Sequence, residues 1–151
     1  MDEAQLEELM RNIWEAMLLP DAPLELGPAR EEYDFCACVD IVGAWNGVIS
    51  VECDETLARE LARHMFGRAA EEVVEGDLLD ALREVANLIG GNVKGTLAGG
   101  CQLSLPRATR GSESLLLDGG QSTQCERAFD SEGRRMRVRV LQEAEPHSCA
   151  G

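Results

Sequence analysis

The sequence predicts a single α+β domain with a largely antiparallel sheet packed against helices. Three observations carry this reading. The helical patterns come in a block rather than alternating one by one with strands, and the strand patterns pair mainly through short turns, as hairpins. The longest pattern in the chain, Asp77 to Leu97, is helical and amphipathic. With 151 residues, 44% of them apolar, the chain is long enough for one core that buries roughly 70% of the unfolded surface.

Charge and composition narrow the partners. A formal net charge of −14 argues against nucleic acid and against an anionic membrane surface, and favours a protein partner that offers a cationic group. No run of 18 apolar residues exists to span a membrane. The N-terminus, MDEAQLEELM, lacks the basic and apolar layout of a signal peptide, so a cytoplasmic protein is expected. In a reducing compartment the six cysteines, Cys36, Cys38, Cys53, Cys101, Cys125 and Cys149, read as small buried hydrophobes rather than a disulfide set. No CxxC pair exists and His64 and His147 have no ligand spacing to a cysteine pair, so no metal site is expected.

The elements follow in order. Leu6, Leu9, Met10, Ile13 and Met17 recur at helical spacing and predict an amphipathic helix over 2–17, ended before Pro20. Residues 20–32, with three prolines, predict an irregular connector. From Tyr33 to Val42 the residues alternate, with Phe35, Ala37, Val39 and Ile41 on one face and Cys36, Cys38 and Asp40 on the other, which predicts a strand. Asn46-Gly47 is a hairpin signal, because both residues tolerate positive φ, and Val48 to Glu52 is the return strand. Trp45 near the hairpin tip reads as a cap over the core edge or as a contact residue.

Asp54 has the chemistry of an N-cap for a helix reaching Met65, which Gly67 would terminate. His64 reads as a surface or core-edge residue of that helix. Residues 68–76 form an acidic link into the central helix. After it come a turn at Gly99-Gly100, a short strand over 101–105 stopped by Pro106, and a loop-rich stretch over 107–120 in which Leu115 to Leu117 could add a short strand. Residues 121–129 and 134–141 predict a second hairpin around Asp130-Ser131-Glu132-Gly133. The row Arg135, Arg137 and Arg139 reads as a solvated sheet face that discourages edge pairing or as an anion site. The domain is expected to span 1–141, with 142–151 a disordered tail.

The central helix carries the functional signal. Leu78, Leu82, Val85, Ile89 and Val93 fall on one side, facing the core. Opposite them Asp80, Glu84, Asn87 and Gly91 fall almost in one line, at i, i+4, i+7 and i+11. A polar line is ordinary on a surface helix. The unusual part is its cost: like charges stand at i and i+4, and glycines at 90, 91 and 95 would each lower helix stability by about 1 kcal/mol relative to alanine. Gly91 leaves the line bare, so another molecule's backbone could approach. Gly90 flanks the apolar side, where it would let a neighbouring element pack closely.

DALREVANLIGGNVKGTL resembles the signature of the CheX/CheC/FliY chemotaxis phosphatases: an Asp or Ser, then three residues, Glu, two residues, Asn, with a proline downstream. Asp80, Glu84, Asn87 and Pro106 match these positions. IVGAWNGVISVECDETLARELARHMFG is similar to the family's glycine-containing hairpin and following helix, and the closing MRVRV hairpin also fits. With one copy of the motif the chain resembles the CheX type rather than the two-site CheC type. The interval between Asn87 and Pro106 holds 18 residues, shorter than the family pattern.

The resemblance implies a CheX-like fold and hydrolysis of the aspartyl phosphate on a CheY-like response-regulator receiver. Asn87 would position the attacking water and Glu84 would reach a cationic group of the receiver, while Asp80, Gly91 and Pro106 would contact the partner. The chain would need no cofactor of its own, because Mg²⁺ would come with the receiver. The resemblance also implies a homodimer. The alternative is a CheX-like binding or dimerisation module without turnover. A more distant reading is a redox- or metal-responsive protein, supported only by Cys36-Ala37-Cys38.

Overall fold

A computed structural model describes residues 1–144. Three α-helices cover one face of a sheet to which the described residues contribute seven strands: β1 (Glu25–Leu26), β2 (Phe35–Gly43), β3 (Gly47–Cys53), β4 (Cys101–Leu103), β5 (Arg107–Arg110), β6 (Gln121–Ser131) and β7 (Arg134–Glu143). The strand order is β1-β6-β7-β3-β2-β4, with β5 also on β2, and every pairing is antiparallel. The α+β class read from the sequence is the observed one.

The helices are α1 (Glu3–Met17), α2 (Glu55–Phe66) and α3 (Glu75–Lys94). Asp2 caps α1: its side chain accepts from the Gln5 N–H at 2.8 Å, and the Gln5 side chain accepts from the Asp2 N–H. Leu6, Met10, Ile13 and Trp14 bury the inner face of α1. Met17, expected on that stripe, is exposed, and Trp14 is buried instead, its Nε1 donating to the Ala22 carbonyl. Gly67 ends α2 in the left-handed conformation, at φ 62°. The cap of α2 differs from expectation. Asp54 makes no side-chain cap bond, and the Glu55 N–H instead donates to Asp34 at 2.8 Å. The Asp54 carboxylate is drawn away to accept from the backbone of Arg135.

The core lies between the helices and one sheet face, lined by Phe35, Ala37, Val39, Ile41, Ile49, Val51 and Val138. On the opposite face Cys36, Cys38, Val48 and Leu141 form a smaller buried group under Leu116 and Leu117. Residues 107–120 differ from the expected loop. Arg107–Arg110 is a strand paired to β2, and a 3-10 turn at Glu113–Leu115 stands where Leu115–Leu117 was expected to extend. RATR has no apolar alternation to announce it; it pairs because β2 offers an unfilled edge beyond β4.

Other corrections concern turns and charges. The first hairpin does not use positive φ at Asn46 or Gly47. The left-handed residue is Gly43, at φ 142°, and the Asn46 side chain bonds both the N–H and the carbonyl of Gly43. Gly47 is required for another reason: a Cβ there would collide with the Trp45 ring. The second hairpin turns on Glu132 and Gly133, at φ 55° and 83°. The arginine row is not a solvated face. Arg137 is buried against Glu52 at 2.6 Å, Arg139 pairs with Glu113 and Glu126, and Arg135 with Asp130. The connector 20–32 contributes β1, and β7 continues through Gln142 and Glu143, two residues into the expected tail. Cys149 and His147 lie outside the described residues.

Candidate functional site

The site is built on α3, which sits across β2 with an apolar back and an open front. Leu78, Ala81, Leu82, Val85, Ala86, Ile89, Gly90 and Val93 are buried. The start of the helix is fixed by Asp77, whose carboxylate accepts from the Val74 N–H at 3.0 Å. Asp80, Glu84, Asn87 and Gly91 are all exposed on the front. The four residues that the sequence placed on one line therefore share one solvent-facing stripe of a single rigid helix.

The two adjacent glycines have opposite environments. A Cβ on Gly90 would lie 2.7 Å from Val39 Cγ1, so the missing side chain allows α3 to seat closely on β2. A Cβ on Gly91 would meet nothing within 4 Å. Gly91 is thus bare on the solvent side. Gly95 lies outside the helix body, at its C-cap.

The members of the stripe are engaged unequally. Asp80 pairs with Arg83, one turn on. Among the described residues, neither Glu84 nor Asn87 is held by another side chain or by the backbone, although the nearby Asn92 amide donates to the Leu88 carbonyl. A carboxylate and an amide left unengaged on a rigid carrier keep their full hydrogen-bonding capacity for another molecule.

Pro106 lies in a segment that runs beside α3. Leu103, in β4, lies against the Gly90 position, and Arg110, in β5, pairs with Glu75 at 2.6 Å. The chain from Leu103 to Arg110 therefore runs beside α3 in the opposite direction, with Pro106 between the two contacts. Asp40 of β2 fixes this flank: its N–H donates to Ser104 Oγ at 2.9 Å, and its carboxylate takes both Nη atoms of Arg107, at 3.1 and 3.2 Å. These partners lie more than sixty residues apart in sequence, so no local signal could have revealed them. Leu105 is the neighbour that no sequence pattern singled out. It is 87% exposed beside Pro106, an apolar side chain presented to solvent.

His64 is exposed on α2 and lines a surface cleft with Arg63, Arg68 and Arg134, apart from this stripe. Among the described residues, no group of three or more His, Cys, Asp or Glu side chains is placed to hold a metal ion, and no helix is long and apolar enough to cross a membrane.

Comparison with known proteins places this architecture. No curated protein sequence matches the chain. Among solved structures it is similar to the chemotaxis protein CheX of Vibrio vulnificus, at 20% identity with a TM-score of 0.71, covering 91% of this chain and 93% of that one. It is also similar to CheX of Desulfovibrio desulfuricans, at 20% identity and TM-score 0.69, covering 93% and 97%. A third similar structure is the CheX-CheY-BeF3-Mg²⁺ complex of Borrelia burgdorferi, at 19% identity and TM-score 0.67, again covering 93% and 97%. At such identities these likenesses establish the fold. The family model for the chemotaxis phosphatase CheX matches residues 35–129, well over half of the sequence, and the chain belongs to that family.

Proposed function

We propose that this protein hydrolyses the aspartyl phosphate of a CheY-like response-regulator receiver, through side chains that α3 inserts into the receiver's site. The observation that carries the reading is the pair Glu84 and Asn87, exposed, unengaged and one turn apart on a helix whose next turn is cleared by Gly91. A relative has been solved as a CheX-CheY-BeF3-Mg²⁺ complex, and that combination of partner, phosphoryl analogue and metal supports the same chemistry here.

Phosphoryl transfer asks little covalent work of the protein; positioning the nucleophile and balancing charge supply most of the acceleration. An amide suits the positioning role. The Asn87 side chain can accept a hydrogen bond from a water through Oδ1 or donate one to its oxygen through Nδ2, without bringing negative charge near the phosphoryl group, so it holds the water for attack on phosphorus. A carboxylate is repelled by phosphate and suits docking instead. Glu84 reaches a cationic group of the receiver, its lysine, and sets the docking register. Asp80, already paired with Arg83, contacts the partner at the periphery. Gly91 gives the clearance, and Pro106 with Leu105 forms the flank. Mg²⁺ enters with the receiver. In this reading the working species is a cytoplasmic homodimer, checked by sedimentation.

The test uses receivers from the same organism, phosphorylated by a small phosphodonor, with loss of phosphate followed over time. Wild type should accelerate the loss, and Asn87→Ala should remove that acceleration by on the order of 10²-fold. No acceleration on any receiver would leave the chain a binding module. Acceleration that survives Asn87→Ala would overturn the role of that residue alone.

A further inference from the structure

The chain has 14 Lys and Arg side chains against 28 Asp and Glu. One of the 14, Lys94, is a lysine and the others are all arginines. Each arginine stands in an ion pair with a carboxylate of this chain. Lys94 does not. Among the described residues no carboxylate pairs with its ammonium group, although carboxylates outnumber cations two to one.

Its place is as particular as its lack of a partner. Lys94 is exposed, the last residue of α3, seven positions after Asn87. At about 100° per residue the two differ by only about 20° around the helix axis, so Lys94 continues the stripe of Glu84, Asn87 and Gly91. A helical side chain covers the turn N-terminal to its own Cα, and here that turn holds Gly91, where a Cβ would meet nothing within 4 Å. Arg83, the other cation of this part of α3, is taken by Asp80.

We propose that Lys94 binds an acidic side chain at the rim of the receiver's phosphorylation pocket and, together with Glu84, sets the direction in which α3 lies on the receiver. The proposal rests on the receiver-phosphatase reading. A receiver that holds Mg²⁺ beside an aspartyl phosphate supplies carboxylate ligands for the metal, so its pocket is acidic. A chain of net charge −14 needs a cation where it meets such a pocket, and Lys94 is the one that no carboxylate of the fold already holds.

Glu84 and Lys94 are ten residues apart, about 15 Å along the axis, with the neutral Asn87 and the bare Gly91 between them. Asp80 and Arg83 neutralise each other, so the front of α3 presents one free negative charge and, further on, one free positive charge. In the working direction Glu84 meets the receiver's lysine and Lys94 a carboxylate. Turned end for end, both charges meet their own sign, and that pose is disfavoured.

The experiment measures the Kd of the full chain for a receiver loaded with beryllofluoride and Mg²⁺ and, in parallel, phosphate loss from the phosphorylated receiver. Lys94→Gln should weaken binding about 3–10-fold at low salt with kcat near wild type, and added salt should shrink the difference. Lys94→Arg should restore binding, and Lys94→Glu should bind more weakly than Lys94→Gln. A water-soluble carbodiimide, which joins a carboxyl to an amine with loss of water, should link Lys94 to an Asp or Glu of the receiver. A cation in the last turn also favours the helix dipole; a Lys94→Gln variant that melts lower but keeps the wild-type Kd would assign Lys94 that role alone and overturn the proposal. A loss of affinity that salt does not change, or that Lys94→Arg does not restore, would overturn it too. Wild type that binds the receiver without speeding phosphate loss would sink the phosphatase reading, while the Kd series would still decide the role of Lys94. Wild type that binds no receiver would refute both.

Discussion

Gly90 sits so close to Val39 that a methyl group on it would lie 2.7 Å from Val39 Cγ1, while its neighbour Gly91 faces open space. Val39 is β-branched and fully buried in β2, so it has no free rotamer with which to yield. Gly90→Ala should therefore cost about 1–3 kcal/mol through overpacking, despite the better helix propensity of alanine. Gly91→Ala should instead raise stability by about 0.5–1 kcal/mol, and in the proposed reading it should weaken docking by filling the clearance. Urea denaturation of the two variants measures the contrast; equal effects would refute the assignment of separate roles.

The buried pair of Glu52 and Arg137 predicts a second asymmetry. Their side chains are 3% and 11% exposed, the contact is 2.6 Å, and Arg137 also stacks over the Tyr33 ring. Burial raises the Glu52 pKa, and Arg137 opposes that rise. Glu52→Ala should cost about 3–5 kcal/mol by leaving a buried guanidinium uncompensated, whereas Glu52→Met with Arg137→Met should recover most of that loss. The double-mutant cycle in denaturant checks it.

Much of this was legible because it is local. The apolar back of α3, the hairpins, the α2 stop at Gly67 and the front stripe of Asp80, Glu84, Asn87 and Gly91 all follow from spacing. The failures are nonlocal. Asp54 has the right chemistry for a cap, but Asp34, twenty-one residues before Glu55, supplies the acceptor. RATR becomes a strand because β2 has an edge to fill, and the arginines of β7 are neutralised by carboxylates from β3, β6 and the 113–115 turn. The Pro106 flank depends on Asp40, invisible to any reading of the 101–110 segment alone.

The cap substitution is itself testable. Asp34→Ala removes the acceptor for the Glu55 N–H and should cost about 1 kcal/mol. Circular dichroism melts of Asp34→Ala and Asp34→Asn should separate, because asparagine keeps an acceptor and alanine does not.

Acid stability should depend on Asp130. The Gly133 N–H donates to one carboxylate oxygen at 2.9 Å and Arg135 Nε to the other at 2.6 Å, and the first of these leads in holding its pKa below the usual carboxylate value. A depressed folded-state pKa gives stability that is present above the unfolded pKa and lost as pH falls through the folded one. The wild type should lose stability below about pH 4, and Asp130→Asn should show a shallower loss over that window. Parallel slopes in acid titrations of the two proteins would refute the assignment.

Glu84 and Asn87 should fail in different ways. Both are exposed and unengaged, so neither substitution should change stability by more than about 0.5 kcal/mol. A water-positioning residue acts in the transition state, so Asn87→Ala should lower kcat with little change in KM for the phosphorylated receiver. A docking carboxylate acts in binding. Glu84→Gln should therefore raise KM and leave kcat nearer to wild type. In the proposed reading its contact with a cation of the receiver would form at the exposed surface and be screened by salt. Wild-type KM should rise with added salt, and the Glu84→Gln slope should be flatter, since one attractive charge pair is gone. A Glu84→Gln variant with wild-type KM and an unchanged salt slope would remove Glu84 from the docking surface.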